Sequence, residues 1–105
     1  MSTRSKNLFG TRDLERRLKG RTIRAFLRDW RRTHEMSQAA FARKLGMSRA
    51  NLCDIERGRK GVGPEKAAEI AAIVGYSVHV LVEMAIEEQL EASGLRFSVS
   101  LKPAV

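Results

Sequence analysis

Within SQAAFARKLGMSRANLCDIERG, from Ser37 to Gly58, three residues stand at set intervals: Ala42, Gly46 and Leu52. Counted from Gln38, they take the fifth, ninth and fifteenth places. Two short helices that cross steeply need a small residue where they touch and a glycine in the tight turn between them. They also need an aliphatic that anchors the second helix to the core. Ala42, Gly46 and Leu52 fill those roles in that order. Ser37 is placed to cap the first of the two helices and Ser48 the second, which runs to about Arg57 and is ended by Gly58.

The flanks carry helical periods of their own. Ile23, Phe26, Leu27, Trp30 and His34 make one stripe, with arginines on the opposite side. Gly63-Pro64-Glu65 is a helix start: proline in the first turn needs no donor, and the glutamate meets the positive helix end. Ala67, Ile70, Ala71 and Val74 form its inward face, and Gly75 closes it. Ser77 caps a fifth helix reaching about Ser93, with Val78, Leu81, Val82 and Ala85 on one side and Val80 and Met84 beside them. One small domain rarely covers so much of a terminal helix, so Val80 and Met84 are assigned to a partner surface.

After Ser93 the period changes. Leu95, Phe97, Val99 and Leu101 alternate with Arg96, Ser98, Ser100 and Lys102, which reads as a short β-strand. A lone strand leaves its backbone groups unpaired, and the sequence offers no second one. Its expected partner is therefore another molecule, either a twin or a different protein. Leu95, Phe97, Val99 and Leu101 join Val80 and Met84 as the expected interface.

Charge divides the chain. Residues 1–60 hold 17 Lys/Arg against 6 Asp/Glu, whereas residues 61–105 hold 3 against 6. The net charge of +8 thus comes from the first half, which favours a polyanionic partner, nucleic acid before an acidic membrane. The single cysteine, Cys53, excludes an internal disulfide and suits a reducing compartment. No apolar run follows the basic N-terminus, and the weakly charged stretch 70–82 is too short to span a bilayer. A cytoplasmic location is expected. His34, His79 and Cys53 lack metal-ligand spacing, there is no nucleophile–base pair, and GRKGVG lacks the order of a P-loop. Neither an enzyme, a cofactor nor a metal is expected.

From about Ile23 to Leu81 the sequence resembles the lambda-repressor-like, Cro/XRE-type helix-turn-helix DNA-binding family. The resemblance rests on MSQAAFARKLGMSRANLCDIERGRK, the arginine before it, and the alanine-rich helix followed by GYSVHVLV. It implies that the helix after Ser48 is the recognition helix, lying in the major groove with its N-terminal residues at base edges. Arg49, Ala50, Asn51 and Asp54 would then face bases: arginine suits guanine, alanine a thymine methyl, and asparagine adenine, or else Asn51 holds a phosphate. Gln38, Ser48, Arg43, Arg57, Arg59 and Lys60 would lie along the sugar-phosphate backbone. The family's frequent ion pair maps onto Arg31 and Glu56. Two positions depart from the pattern. Asp54 replaces a polar or basic groove residue; it can accept from a cytosine amino group or, the preferred expectation, be neutralised by Arg57. Ala40 replaces the glutamate of a capping box, leaving Ser37 to cap alone.

Each of these residues also has a plainer reading. Arg49 on an arbitrary helix is solvated, Arg57, Arg59 and Lys60 can be a solvated loop, Trp30 with Phe26 is core, and Cys53 is a half-buried filler. The expected architecture is all-α: a compact five-helix domain over residues 22–93, a basic arm over 1–21 in which Thr11–Lys19 can form two helical turns, and a strand and tail over 94–105. The expected function is sequence-specific binding of double-stranded DNA, as a homodimeric repressor on a palindromic operator. The alternative is an antitoxin that grips a toxin protein through the strand and represses its own operon.

Overall fold

The computed structural model describes residues 22–104, so the basic arm and its possible short helix lie outside the described residues. Among the described residues five helices form: α1 Ile23–Thr33, α2 Gln38–Lys44, α3 Arg49–Glu56, α4 Pro64–Val74 and α5 Val78–Ala92. Four of them begin with a hydroxyl cap. Thr22, Ser37, Ser48 and Ser77 accept from the amides of Ala25, Ala40, Asn51 and Val80 at 3.1–3.2 Å. α4 instead begins with Gly63 and Pro64, with Glu65 in its first turn. Gly46 has φ 73°, a left-handed conformation that the α2–α3 turn requires and that glycine adopts without strain. The Gly46 and Met47 amides close that turn onto the carbonyls of Arg43 and Ala42.

Phe41, Leu27, Leu52, Ile70, Leu81, Met84 and Val80 are the largest fully buried side chains. Trp30 is half-buried and stacks on Phe41 at 5.1 Å, while Phe26 meets Tyr76 edge-on at 4.9 Å. His34 departs from its expected inward place: it is exposed beyond the end of α1 and lies flat against Trp30.

α5 corrects a second expectation. Val80 and Met84 are 0% and 1% exposed and belong to the chain's own core, together with Leu81 and Ala85. They are not available to a partner. The first turns of α5 carry apolar residues on more than one side and so offer more than one stripe, and packing against α4 selected the one containing 80, 81, 84 and 85.

The described residues contain no strand. Gly94, at φ 82°, reverses the chain after α5, with the amides of Gly94 and Leu95 bonded to the carbonyls of Glu91 and Leu90. The segment then returns along α5. Its backbone amides at Val99 and Leu101 donate to Glu87 Oε2 and Glu83 Oε2, each at 2.7 Å. The alternating pattern of residues 95–101 is therefore met by side-chain carboxylates of a helix and not by a strand within the chain. No helix among the described residues is long and apolar enough to cross a membrane.

Candidate nucleic-acid interface

α3 is anchored from its middle onward and open along its first turn. Leu52 and Ile55 anchor it in the core, at 0% and 4% exposure. Arg49 and Ala50 occupy its first two helical positions and are exposed. Ser48 is exposed as well, but its hydroxyl serves the helix cap. Asn51 is half-buried: its side-chain oxygen accepts from Lys60 Nζ at 2.8 Å. Lys60 thereby folds back over α3. Arg43 is exposed at the end of α2, and Arg57, Arg59 and Lys60 are exposed at the exit of α3. The basic residues at 43, 49, 57, 59 and 60 thus flank or sit on one pair of crossed helices.

The cation beside Asp54 is Arg59, at 3.7 Å, in place of the expected Arg57. The Arg59 amide also bonds the Asp54 carbonyl at 2.9 Å, because the chain wraps around the C-terminus of α3. Both side chains are well exposed, so this pair is worth little to stability.

The opposite holds for Glu56, the last residue of α3. Arg31 meets Glu56 with two hydrogen bonds, Nε to Oε2 at 2.9 Å and Nη2 to Oε1 at 3.0 Å. Its Nη1 donates to the Met36 carbonyl at 3.2 Å, and Gln38 Nε2 donates to Glu56 Oε1 at 3.0 Å. α1 and α2 therefore converge on one carboxylate of α3 that is 4% exposed, and the α1–α2 turn holds the Arg31 side of the pair. Burial alone would raise the pKa of Glu56. Hydrogen bonds from Arg31 and Gln38, with the charges of Arg31 and Arg28, outweigh it and hold the carboxyl below its ordinary range. The hydrogen bond to Glu56 correspondingly raises the pKa of Arg31.

Sequence reasoning missed Arg24 and Arg28. They precede Arg31 by seven and three residues, a row that the helical period of α1 brings to one side. Arg28 lies close enough to influence Glu56, and its buried Nε has no hydrogen-bond partner. The Arg24 guanidinium covers Gly58, occupying the space a Cβ would need. No basic residue of α3 stands in its own last turn, so Arg24 brings a cation to its negative end from another helix.

Gly58→Ala is therefore expected to cost more than the roughly 1–2 kcal/mol of a left-handed non-glycine residue, because φ is 78° and Arg24 must also move. Chemical denaturation of Gly58→Ala alone and with Arg24→Ala checks this. The double variant should recover part of the loss, and strictly additive losses would remove Arg24 from the account.

A second carboxylate ties the frame together. Glu88 Oε2 on α5 accepts from the Ile23 amide at 2.7 Å, joining the end of α5 to the start of α1. Burial raises its pKa, with help from Glu91 and Glu87, against the Ile23 amide and the charge of Arg24.

A family model described as a helix-turn-helix domain matches residues 22–84. A curated relative, the ImmF control region 10 kDa protein of Bacillus phage phi105, is 34% identical over 64 residues, which cover 61% of this chain and 71% of that protein. No solved structure matches the chain significantly. With α2 and α3 crossed at Ala42, turned at Gly46 and anchored by Leu52, and with the match spanning α1 to the first half of α5, the chain belongs to the helix-turn-helix domain family of the Cro/XRE type.

Proposed function

We propose that this chain is a sequence-specific, double-stranded-DNA-binding transcriptional repressor that acts as a homodimer on a palindromic operator. The observation that carries the reading is the exposed first turn of α3, Arg49 and Ala50, projecting from a helix pinned by Leu52 and by the Arg31–Glu56 pair. A base-reading helix needs this rigidity, because a bidentate contact with a guanine edge tolerates little displacement. Arg49 reads guanine, Ala50 packs on a thymine methyl, and Asn51 and Asp54 face the groove behind them.

Arg43, Arg57, Arg59 and Lys60 run beside the phosphates, and Ser48 stands at the backbone next to the helix start. Gln38 contacts a phosphate with the second hydrogen of its amide, since only one is spent on Glu56. Two copies related by a two-fold axis place their recognition helices about 34 Å apart, one helical turn of DNA. Bound there, the dimer excludes other proteins from the site. That the phage relative is a control-region protein supports a regulatory role.

Selection of bound duplexes from a random pool at near-physiological salt tests the proposal. A two-fold symmetric motif is the expected result. Recovery of nothing above background, with binding that depends only on salt, would reduce the protein to a charge-driven binder. On the selected site, Arg49→Ala should relax preference at one base position by roughly 1–3 kcal/mol. Equal weakening on every sequence would make Arg49 a phosphate contact.

A further inference from the structure

The side-chain oxygens on the open side of α3 belong to Asn51 and Asp54, about one helical turn apart. Cations from the loop after the helix stand at both. Gly58, at φ 78°, reverses the chain, and the amides of Arg59 and Lys60 then share the Asp54 carbonyl at 2.9 and 3.3 Å. Pinned there, the loop sends its side chains back along α3. Arg59 Nη1 lies 3.7 Å from Asp54 Oδ1, too far for a hydrogen bond, whereas Lys60 Nζ donates to Asn51 Oδ1 at 2.8 Å.

Chemistry fixes which way the Asn51 amide points. An ammonium has donors and no acceptor, so Lys60 can meet only the oxygen. The amide nitrogen is then turned toward Met47 Sδ, a weak acceptor at 3.9 Å. Asparagine reads adenine with both ends of its amide, accepting from N6 and donating to N7. With its oxygen held by Lys60, Asn51 keeps only the donating end. Beside it, the ammonium has hydrogens left over. Guanine shows the matching edge, acceptors at N7 and O6 with no donor in the major groove.

We infer, on the DNA-reading role proposed above for α3, that Lys60 selects the base met by Asn51. With the lysine in place the pair recognises guanine, and without it Asn51 recognises adenine. Lys60 thus determines specificity from outside the helix, through the amide that it holds. Its charge still adds to the salt-dependent attraction of the basic loop. Adenine would require Asn51 to release the ammonium and would set that cation against the N6 hydrogens. Cytosine offers only a donor, at N4, to a surface whose oxygens both face cations.

Selection of bound duplexes from a random pool, run in parallel on the wild type, Lys60→Met, Lys60→Arg and Asn51→Ala, tests this. Lys60 is exposed and methionine keeps an apolar stem, so Lys60→Met should retain the wild-type far-UV spectrum. The wild type should select guanine at one half-site position that Asn51→Ala makes indifferent. At that position Lys60→Met should prefer adenine over guanine by roughly tenfold, the size of one good base contact. Lys60→Arg, which restores a donor to the amide oxygen, should return the preference to guanine. A lysine that touches phosphate alone predicts otherwise: Lys60→Met would weaken every duplex equally, with a shallower salt slope and the motif unchanged. That result, an Asn51→Ala motif identical to the wild type's, or adenine selected at the Asn51 position by the wild type would overturn the inference and leave the proposed regulator standing. A wild type that selects no motif would overturn sequence-specific reading itself, and this inference with it.

Discussion

Arg31→Met is expected to destabilise the fold by about 3–5 kcal/mol, the cost of leaving a buried carboxylate without its cation. Arg31 supplies both oxygens of Glu56 with a donor, and only the Gln38 amide remains once it is gone. The side chains are 16% and 4% exposed, so water cannot take its place without opening the junction of α1, α2 and α3. Removing both charges should hurt less than removing one. Arg31→Met with Glu56→Leu should therefore be more stable than Arg31→Met alone, because no unpaired charge stays inside. Urea unfolding of the wild type and the two variants measures these losses. A single-variant loss below about 1 kcal/mol would mean that the pair behaves like a surface ion pair.

The same pair sets a pH dependence with a definite sign. Glu56 has a lowered pKa in the folded state, so between that value and the ordinary carboxylate pKa the unfolded chain binds more protons. The stability due to Glu56 is complete above the unfolded pKa and is lost as pH falls through the folded one. In Arg31→Met the carboxyl is expected to titrate higher, since burial is no longer opposed by the arginine. The gap between wild type and variant should then narrow on acidification. Glu88 contributes with the opposite sign: its raised pKa costs stability above the folded value, and the cost is relieved as pH falls through it.

What the sequence reveals depends on whether a contact leaves a local mark. Hydroxyl caps, the Gly46 turn and the Pro64 start each act within a few residues, so all four inter-helix boundaries from Ser37 to Ser77 were legible. The inward face of α1 was legible up to Trp30, because its other side is arginine-rich. α5 offered no such contrast, and the choice of Val80 and Met84 as core was made by α4, which lies against it. The alternation over residues 95–101 reads as a strand, and the described residues hold an extended segment there without one. It could not reveal acceptors that are glutamates on a helix, since those obey a period of four and not of two. Arg24 over Gly58 was hidden for a related reason: the pair is separated by more than thirty residues and joined only through the tertiary fold. At the candidate interface, the spacing pointed to α3 but carried no sign that Lys60 returns to Asn51 or that Arg59 turns to Asp54.

Leu52→Ala is expected to cost about 2–5 kcal/mol, the range for emptying a fully buried leucine site. Leu52 is 0% exposed, in the same cluster as Phe41, Ala42 and Ile55, so the lost methyl groups leave a cavity where α2 and α3 meet the core. In a domain of this size such a loss lowers the melting temperature by on the order of 10 °C or more. Leu52→Met keeps most of the volume and should lose less than about 1.5 kcal/mol. The DNA consequence separates anchoring from charge. Arg43, Arg49, Arg57, Arg59 and Lys60 are exposed and retain their charges in the variant, so salt-dependent binding to any duplex should persist below its melting point. Discrimination between the selected site and a scrambled one should fall, because Arg49 is then carried by a helix free to shift. Calorimetry with binding titrations on both duplexes checks the two halves together. A stability loss under about 0.5 kcal/mol would mean that Leu52 does not anchor α3; full discrimination despite the expected loss would mean that the Arg31–Glu56 pair holds the recognition helix by itself.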